Sequence, residues 1–267
     1  MRKGVRVKPG SKLDLSKYPA DAKLGIRDRE EADARIAELA PRLSELGGLL
    51  AANRKNALLV VIQGIDASGK DGTIKHSISS FTPSSLHIAA FKAPTSTELA
   101  HDFLWRIHAH CPERGQIGIF NRSHYEDVLV VRVEGLAPES VWRPRYEAIN
   151  AFERHLAHEG TVIVKLWLNI SKDEQARQLQ QRLKDPTKNW KFNEDDLAKR
   201  SHWDQYMDAY REAVERTSTD WAPWYVIPVD HRWVRNVVVS EILVETLESL
   251  DMSWPRLPPA VRKMKIE

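Results

Sequence analysis

Gly64-x-x-x-x-Gly69-Lys70 has the spacing of a loop that wraps a phosphate. Its two glycines let successive backbone N–H groups face an anion, and the lysine adds a point charge. A helix starting at that lysine would add its positive dipole end. The next position departs from the usual pattern, holding Asp71 where a Ser or Thr hydroxyl would ligate Mg²⁺. Asp66 puts a further carboxylate inside the loop, where it repels phosphate unless a cation lies between them. Asp66 is therefore read as a Mg²⁺ ligand, direct or through water, with Ala67, Ser68, Gly69 and Gly72 completing the cradle. The plain alternative is a glycine-bearing turn with an exposed lysine.

Asn121-Arg122-Ser123-His124-Tyr125-Glu126-Asp127 follows the third apolar run, and ligands of open parallel sheets bind at the carboxyl ends of strands. Asn121 is a neutral oxygen ligand at best, so negative charge for a metal falls to Asp66 and Asp127. Arg122 can neutralise a transferring phosphoryl group. Glu126 has two readings, a group of the site or the third member of a capping box opened by Ser123. His124 reads as a packed residue, since phosphate acceptors need little help from a base. Residues 177–200 carry seven basic side chains against four acidic ones. Asp185-Pro186 ends one helix there and Asn193 is placed to cap the next. A basic helix–loop–helix between the fourth and fifth strands reads as a lid that excludes water, the alternative being a solvated charged helix pair.

These groups need a scaffold, and the hydrophobic pattern supplies an α/β one. Apolar runs at 58–62, 86–91, 116–120, 161–168 and 224–229 read as strands separated by helical patterns, the rhythm of a five-stranded parallel sheet flanked by helices. Ile36, Leu39, Leu43, Leu46 and Leu50 predict an amphipathic helix over 30–53, strained at Pro41. A last helix is expected over 231–250, with Val234, Val238 and Ile242 on one side. Thr95/Glu98, Ser123/Glu126, Ser171/Glu174 and Ser201/Asp204 have capping-box spacing. No internal repeat or low-complexity linker interrupts the chain, which reads as one domain over 1–267 with a basic extension at 1–29.

Forty basic and 37 acidic residues leave a net charge of +3, which does not by itself imply nucleic-acid binding. Residues 1–12 contain five basic side chains and no acid; they read as a loose tail, with an accessory polyanion contact as the alternative. The single Cys111 excludes an intrachain disulfide framework. No apolar stretch is long enough to span a bilayer and the start lacks a signal segment, so no membrane partner is expected and the expected location is cytoplasmic.

With loop, second motif and lid in view, the chain resembles the polyphosphate kinase 2 family. The resemblance rests on Gly64-Ile65-Asp66-Ala67-Ser68-Gly69-Lys70-Asp71-Gly72, on Phe120 through Asp127, and on the basic segment around Arg182. Lys92-Ala93-Pro94 with Glu98, and Phe103-Leu104-Trp105-Arg106, add to it, and it spans roughly residues 30–250. It implies a three-layer P-loop kinase-like fold similar to thymidylate kinase with a helical lid. It also implies Mg²⁺-dependent transfer of phosphoryl groups between inorganic polyphosphate and AMP, ADP or ATP, and a dimer or tetramer. The Asn121 form of the second motif is similar to the branch that accepts AMP, often with ADP. A polyphosphate needs several cations, for which Lys70, Lys75, Arg122, Arg132, Arg182, Lys184 and Lys191 are candidates. Tyr125, Asp230 and Trp190 are candidate contacts to a base. Rival readings are an ATP-dependent nucleoside monophosphate kinase and a non-catalytic polyanion-binding module.

Overall fold

The structure, a computed structural model, describes residues 4–258 and 261–264. Its strands are β1 (Ala57–Gln63), β2 (Leu86–Ala90), β3 (Ile117–Asn121), β4 (Thr161–Asn169) and β5 (Trp224–Pro228). They pair in the order β2-β3-β1-β4-β5, every pair parallel. All seven residues of β1 are buried. It is the central strand, hydrogen-bonded on both sides and covered on both faces, so a continuous apolar run suits it better than alternation.

The helices that matter for the site are α1 (Arg29–Asn53), α2 (Lys70–Thr73), α3 (Arg145–His158), α4 (Lys172–Lys184), α5 (Asp195–Ser201), α6 (Trp203–Thr217) and α7 (Arg232–Glu248). Helix α1 packs along α7, and α3 packs against β4 and α6. Asp28 starts α1 by accepting from the Glu31 N–H, and Glu30 and Glu31 in the first turn complement the helix dipole. Pro41 does not break α1, which runs without interruption to Asn53. Directly after α2 the chain widens into a π-helical turn, Ile74–Ile78.

The described part of residues 1–12, from Gly4 onward, overturns the expectation of a loose tail. Val5 and Val7 are buried, and Arg6 bridges antiparallel to Tyr225 on the outer side of β5. The Val226 N–H donates to the Val5 carbonyl at 2.8 Å, and the Val7 N–H donates to the Trp224 carbonyl at 2.9 Å. Further along, the Asp230 N–H donates to Ala20 O at 3.1 Å and Asn169 Nδ2 donates to Tyr18 O at 2.9 Å. The segment thus covers an otherwise open sheet edge, which is a physical reason for it to be ordered. Arg2 and Lys3, two of its expected cations, lie outside the described residues.

Of the four expected capping boxes, Thr95/Glu98 closes in both directions. Ser171 accepts from the Glu174 N–H, but the Glu174 carboxylate turns to Arg177 and Gln178. Ser201 donates to the Ala198 carbonyl inside α5 and starts no helix. Ser123 accepts from Tyr125 N–H instead of Glu126, so no box forms there and the Glu126 carboxylate is left facing Arg122 at 3.8 Å.

Candidate active site

The β1–α2 loop carries out the turn that its glycines predict. Gly69 sits at φ 92°, and Ala67, which lacks that freedom, is held at φ 69°. Arg122, at the carboxyl end of β3, is likewise left-handed at φ 63°. Its N–H donates to the Ile62 carbonyl at 3.1 Å, so the β1–β3 ladder holds this strained residue where its guanidinium meets the loop. Nη2 of Arg122 lies 2.8 Å from Asp66 Oδ1, and Lys199 Nζ from α5 reaches Asp66 Oδ2 at 3.0 Å. Burial alone would raise the Asp66 carboxyl, but Lys70, Arg122 and Lys199 hold it far below the ordinary carboxylate range. Lys70 Nζ donates to the Gly64 carbonyl at 2.6 Å, and burial lowers its pKa against the pull of Asp66.

Around this loop lies a cleft of about 570 Å³, within the range of small-ligand sites. Eight Lys or Arg side chains line it against three Asp or Glu. That excess explains how a chain of net charge only +3 presents a strongly positive pocket. Of the residues the sequence nominated, Asp66, Ala67, Ser68, Gly69, Lys70, Asp71, Gly72, Asn121, Arg122, Arg182 and Lys191 form its wall. Gly64 lies at the base of the same turn, where its carbonyl accepts from Lys70. Asn121 Nδ2 donates to Asp71 Oδ1 at 2.9 Å, tying the two motifs together.

Other nominated residues are not brought to the wall. Arg132 instead pairs with Glu212 at 2.6 Å and stacks on Trp142, lining a separate surface hollow with Lys12 and Arg211. Asp127 pairs with Arg145 at 3.0 Å, and burial pushes its pKa up to about 6. Lys75 and Lys184 are exposed outside the cleft, and Glu126 stands behind Arg122. Tyr125 is fully buried and cannot meet a base, and Asp230 accepts from the Ser171 N–H. Trp190 is 77% exposed on the segment after α4.

Sequence reasoning missed Arg232 and Arg235, which line the cleft from the first turn of α7. The available signal was two arginines three residues apart at the start of an otherwise apolar helix, just beyond a strand's carboxyl end. In the segment expected to be a lid, Arg182 Nη1 pairs with Asp196 at 2.8 Å and bonds Lys191 O at 3.2 Å, bracing α4 against α5. Lys191 Nζ stands 3.9 Å from Asp71. The segment therefore touches the loop through two cation–carboxylate pairs, Lys199–Asp66 and Lys191–Asp71.

Among the described residues, no group of three or more His, Cys, Asp or Glu side chains is placed to hold a metal. Mg²⁺ asks for less, one or two carboxylates with substrate phosphates and water filling the rest. Asp66 in the cleft wall, with Asp71 beside it, fits that demand; Asp127, turned to Arg145, does not.

A parallel sheet with a glycine–lysine loop at its carboxyl end, set in a cationic cleft, defines a phosphate-handling α/β protein of the P-loop kinase-like fold. Comparison narrows the class. Residues 26–254 match the family model "Polyphosphate kinase 2 (PPK2)", and the chain belongs to that family. It is 49% identical over 266 residues to the AMP/ADP-polyphosphate phosphotransferase of Meiothermus ruber, covering 99% of this chain and all of that one. It is 43% identical to the ADP-polyphosphate phosphotransferase of Rhodopseudomonas palustris, covering 98% and 94% of the two chains. The crystal structure of polyphosphate kinase 2 from Arthrobacter aurescens TC1 superposes with a TM-score of 0.93 at 41% identity, covering 98% of this chain and 94% of that one. Among the described residues no helix is long and apolar enough to cross a membrane.

Proposed function

We propose that the protein transfers phosphoryl groups, with Mg²⁺, between inorganic polyphosphate and adenine nucleotides, making ADP from AMP and ATP from ADP. The observation that carries this reading is the cleft wall, in which eight cations and a phosphate loop face three carboxylates. So much positive charge suits a ligand that is itself a run of anions. The rival monophosphate kinase would share the loop and lid, but its relatives here are named for polyphosphate. A binding module would have no use for a lid segment that reaches the loop carboxylates.

In this reading the loop N–H groups and Lys70 hold the transferring phosphate, and Arg122 neutralises the charge that develops on it. The acceptor oxygen of a nucleotide phosphate is already anionic, so the residues need only align it and exclude water. Asp127, whose raised pKa would suit a base, faces Arg145 outside the cleft wall and takes no proton from the acceptor. Arg182 keeps α4 and α5 together, and Lys191 and Lys199 can exchange their loop carboxylates for ligand phosphates as the segment closes. Mg²⁺, with Asp66 as its carboxylate, would offset phosphate charge. A homo-oligomer, dimer or tetramer, and a cytoplasmic place of action belong to the same reading.

The test is to incubate the protein with Mg²⁺ and polyphosphate, adding AMP or ADP but no ATP, and to identify the nucleotides formed. ADP and then ATP should appear from AMP; no product from either acceptor would end the proposal. Asp66→Asn should raise the Mg²⁺ needed for half-maximal rate by about 10–100-fold. An unchanged Mg²⁺ titration would remove Asp66 from the metal.

A further inference from the structure

Arg235 is 3% exposed, yet among the described residues it has no carboxylate partner. Its guanidinium donates to the Gly69 carbonyl at 3.2 Å and, through Nε and Nη2, to Asn236 Oδ1 at 3.2 and 2.9 Å. These are neutral acceptors, and the charge that acts on it among the described residues is another cation, Arg232. Burial, and then Arg232, lower its pKa to about 10. A buried and unneutralised charge is costly, and proteins normally pair it or discard it.

The neighbouring sequence makes room for this charge. A Cβ on Gly69 would lie 2.2 Å from Arg235 Nη1, and one on Gly72 would lie 3.0 Å from Nη2. Gly69 needs glycine for its backbone in any case, at φ 92°. Gly72 does not, since it sits inside α2 without a positive φ, in a place where glycine weakens the helix. The glycine two residues after Lys70 is therefore explained by the space that Arg235 occupies.

We propose that Arg235 is a phosphate-binding residue, kept unneutralised beneath the loop so that a condensed phosphate in the cleft supplies its missing counter-charge. This deepens the proposed activity and rests on it for the identity of the ligand. Arg235 lines the same cleft as Lys70 and Arg122 from the opposite element, α7. It thus adds a fixed charge that the lid does not need to move into place. Inorganic polyphosphate and a nucleoside triphosphate both offer condensed phosphates, and the two are separated by experiment.

Binding of inorganic tripolyphosphate and of ATP to the full-length wild type and to Arg235→Gln would be measured by calorimetry, with Tm recorded without ligand. Arg235→Gln should bind tripolyphosphate at least tenfold more weakly while its unliganded Tm holds or rises, because no carboxylate among the described residues pairs with the charge. A tenfold loss confined to tripolyphosphate assigns Arg235 to the inorganic chain, and an equal loss on ATP assigns it to the phosphates common to both. Losses under tenfold on both ligands overturn the proposal, and a lower unliganded Tm beside them makes Arg235 a structural brace. Should Arg235→Gln not fold, Arg235→Lys keeps the charge without the two-pronged fork and should lose at least threefold; a smaller loss has the same overturning force. Wild type that binds tripolyphosphate without passing phosphate to AMP or ADP would sink the activity and leave this assignment standing.

Discussion

Lys70→Ala should lower kcat for polyphosphate-dependent phosphorylation of AMP or ADP by about 10²–10³-fold, with Tm close to wild type. The lysine stands at the start of α2 within the loop, where its Nζ donates to the Gly64 carbonyl at 2.6 Å. Its removal empties a position that Arg122 and Lys199, engaged with Asp66, and Arg235, held by the Gly69 carbonyl and Asn236, do not occupy. The fold should survive because Asp66 keeps both of those partners. Single-turnover measurement of nucleotide formation separates this loss from weaker polyphosphate binding, and a kcat within threefold of wild type would show that the loop is not the transfer point. Arg122→Ala offers the internal comparison. It should lose transfer as well, but it also breaks the ion pair with the largely buried Asp66 while keeping the left-handed backbone, so its unliganded stability should fall more than that of the lysine variant.

How much of this could be read beforehand depended on the range of the interaction. The strands were legible because β1 is central, and its run Leu58-Leu59-Val60-Val61-Ile62 could be apolar without interruption only if covered on both faces. The loop was legible because its chemistry is local, with Gly64, Gly69 and Lys70 within seven residues. Partners supplied from far along the chain were not. Arg132 looked like a polyanion contact, but Glu212, 80 residues away, takes it. Asp127 looked like a metal ligand, but Arg145 takes it. Glu126 sat at capping-box spacing, but the turn after Ser123 tightened by one residue and its carboxylate was left to Arg122. The ordered N-terminal segment was invisible for another reason. Val5 and Val7 alternate across only three residues, too short a period-two signal to distinguish from a tail.

Lys165→Met should cost about 3–5 kcal/mol of stability, lowering Tm by roughly 10 °C, the largest stability effect expected of any single change here. Lys165 lies fully buried in β4, with Nζ 2.6 Å from Glu153 Oε2, 2.9 Å from Tyr125 Oη and 2.6 Å from the Thr217 carbonyl. Glu153, equally buried, also accepts from Tyr125 Oη at 2.9 Å and lies 3.2 Å from His124 Nε2. Burial alone would raise the Glu153 carboxyl, but Lys165 and His124 hold it below its ordinary value. In the wild type this carboxylate therefore contributes stability above its unfolded pKa, and the contribution fades as pH falls through the lower folded value. Without the lysine the sign reverses. Burial dominates, the folded pKa of Glu153 rises above the unfolded one, and stability is lost as pH rises through that window. The gap between Lys165→Met and wild type should thus be widest near neutral pH and should narrow on acidification, measured as Tm against pH. A gap independent of pH would mean that the loss is one of packing alone. Adding Glu153→Gln to Lys165→Met should recover part of the deficit, since it removes the stranded charge. The same network anchors Tyr125, three residues beyond Arg122 in the segment that presents the guanidinium to Asp66. The folded fraction of Lys165→Met should accordingly lose kcat more than nucleotide affinity. The buried pair would then hold Arg122 in place from beneath the sheet's carboxyl edge, where no change of ligand reaches it.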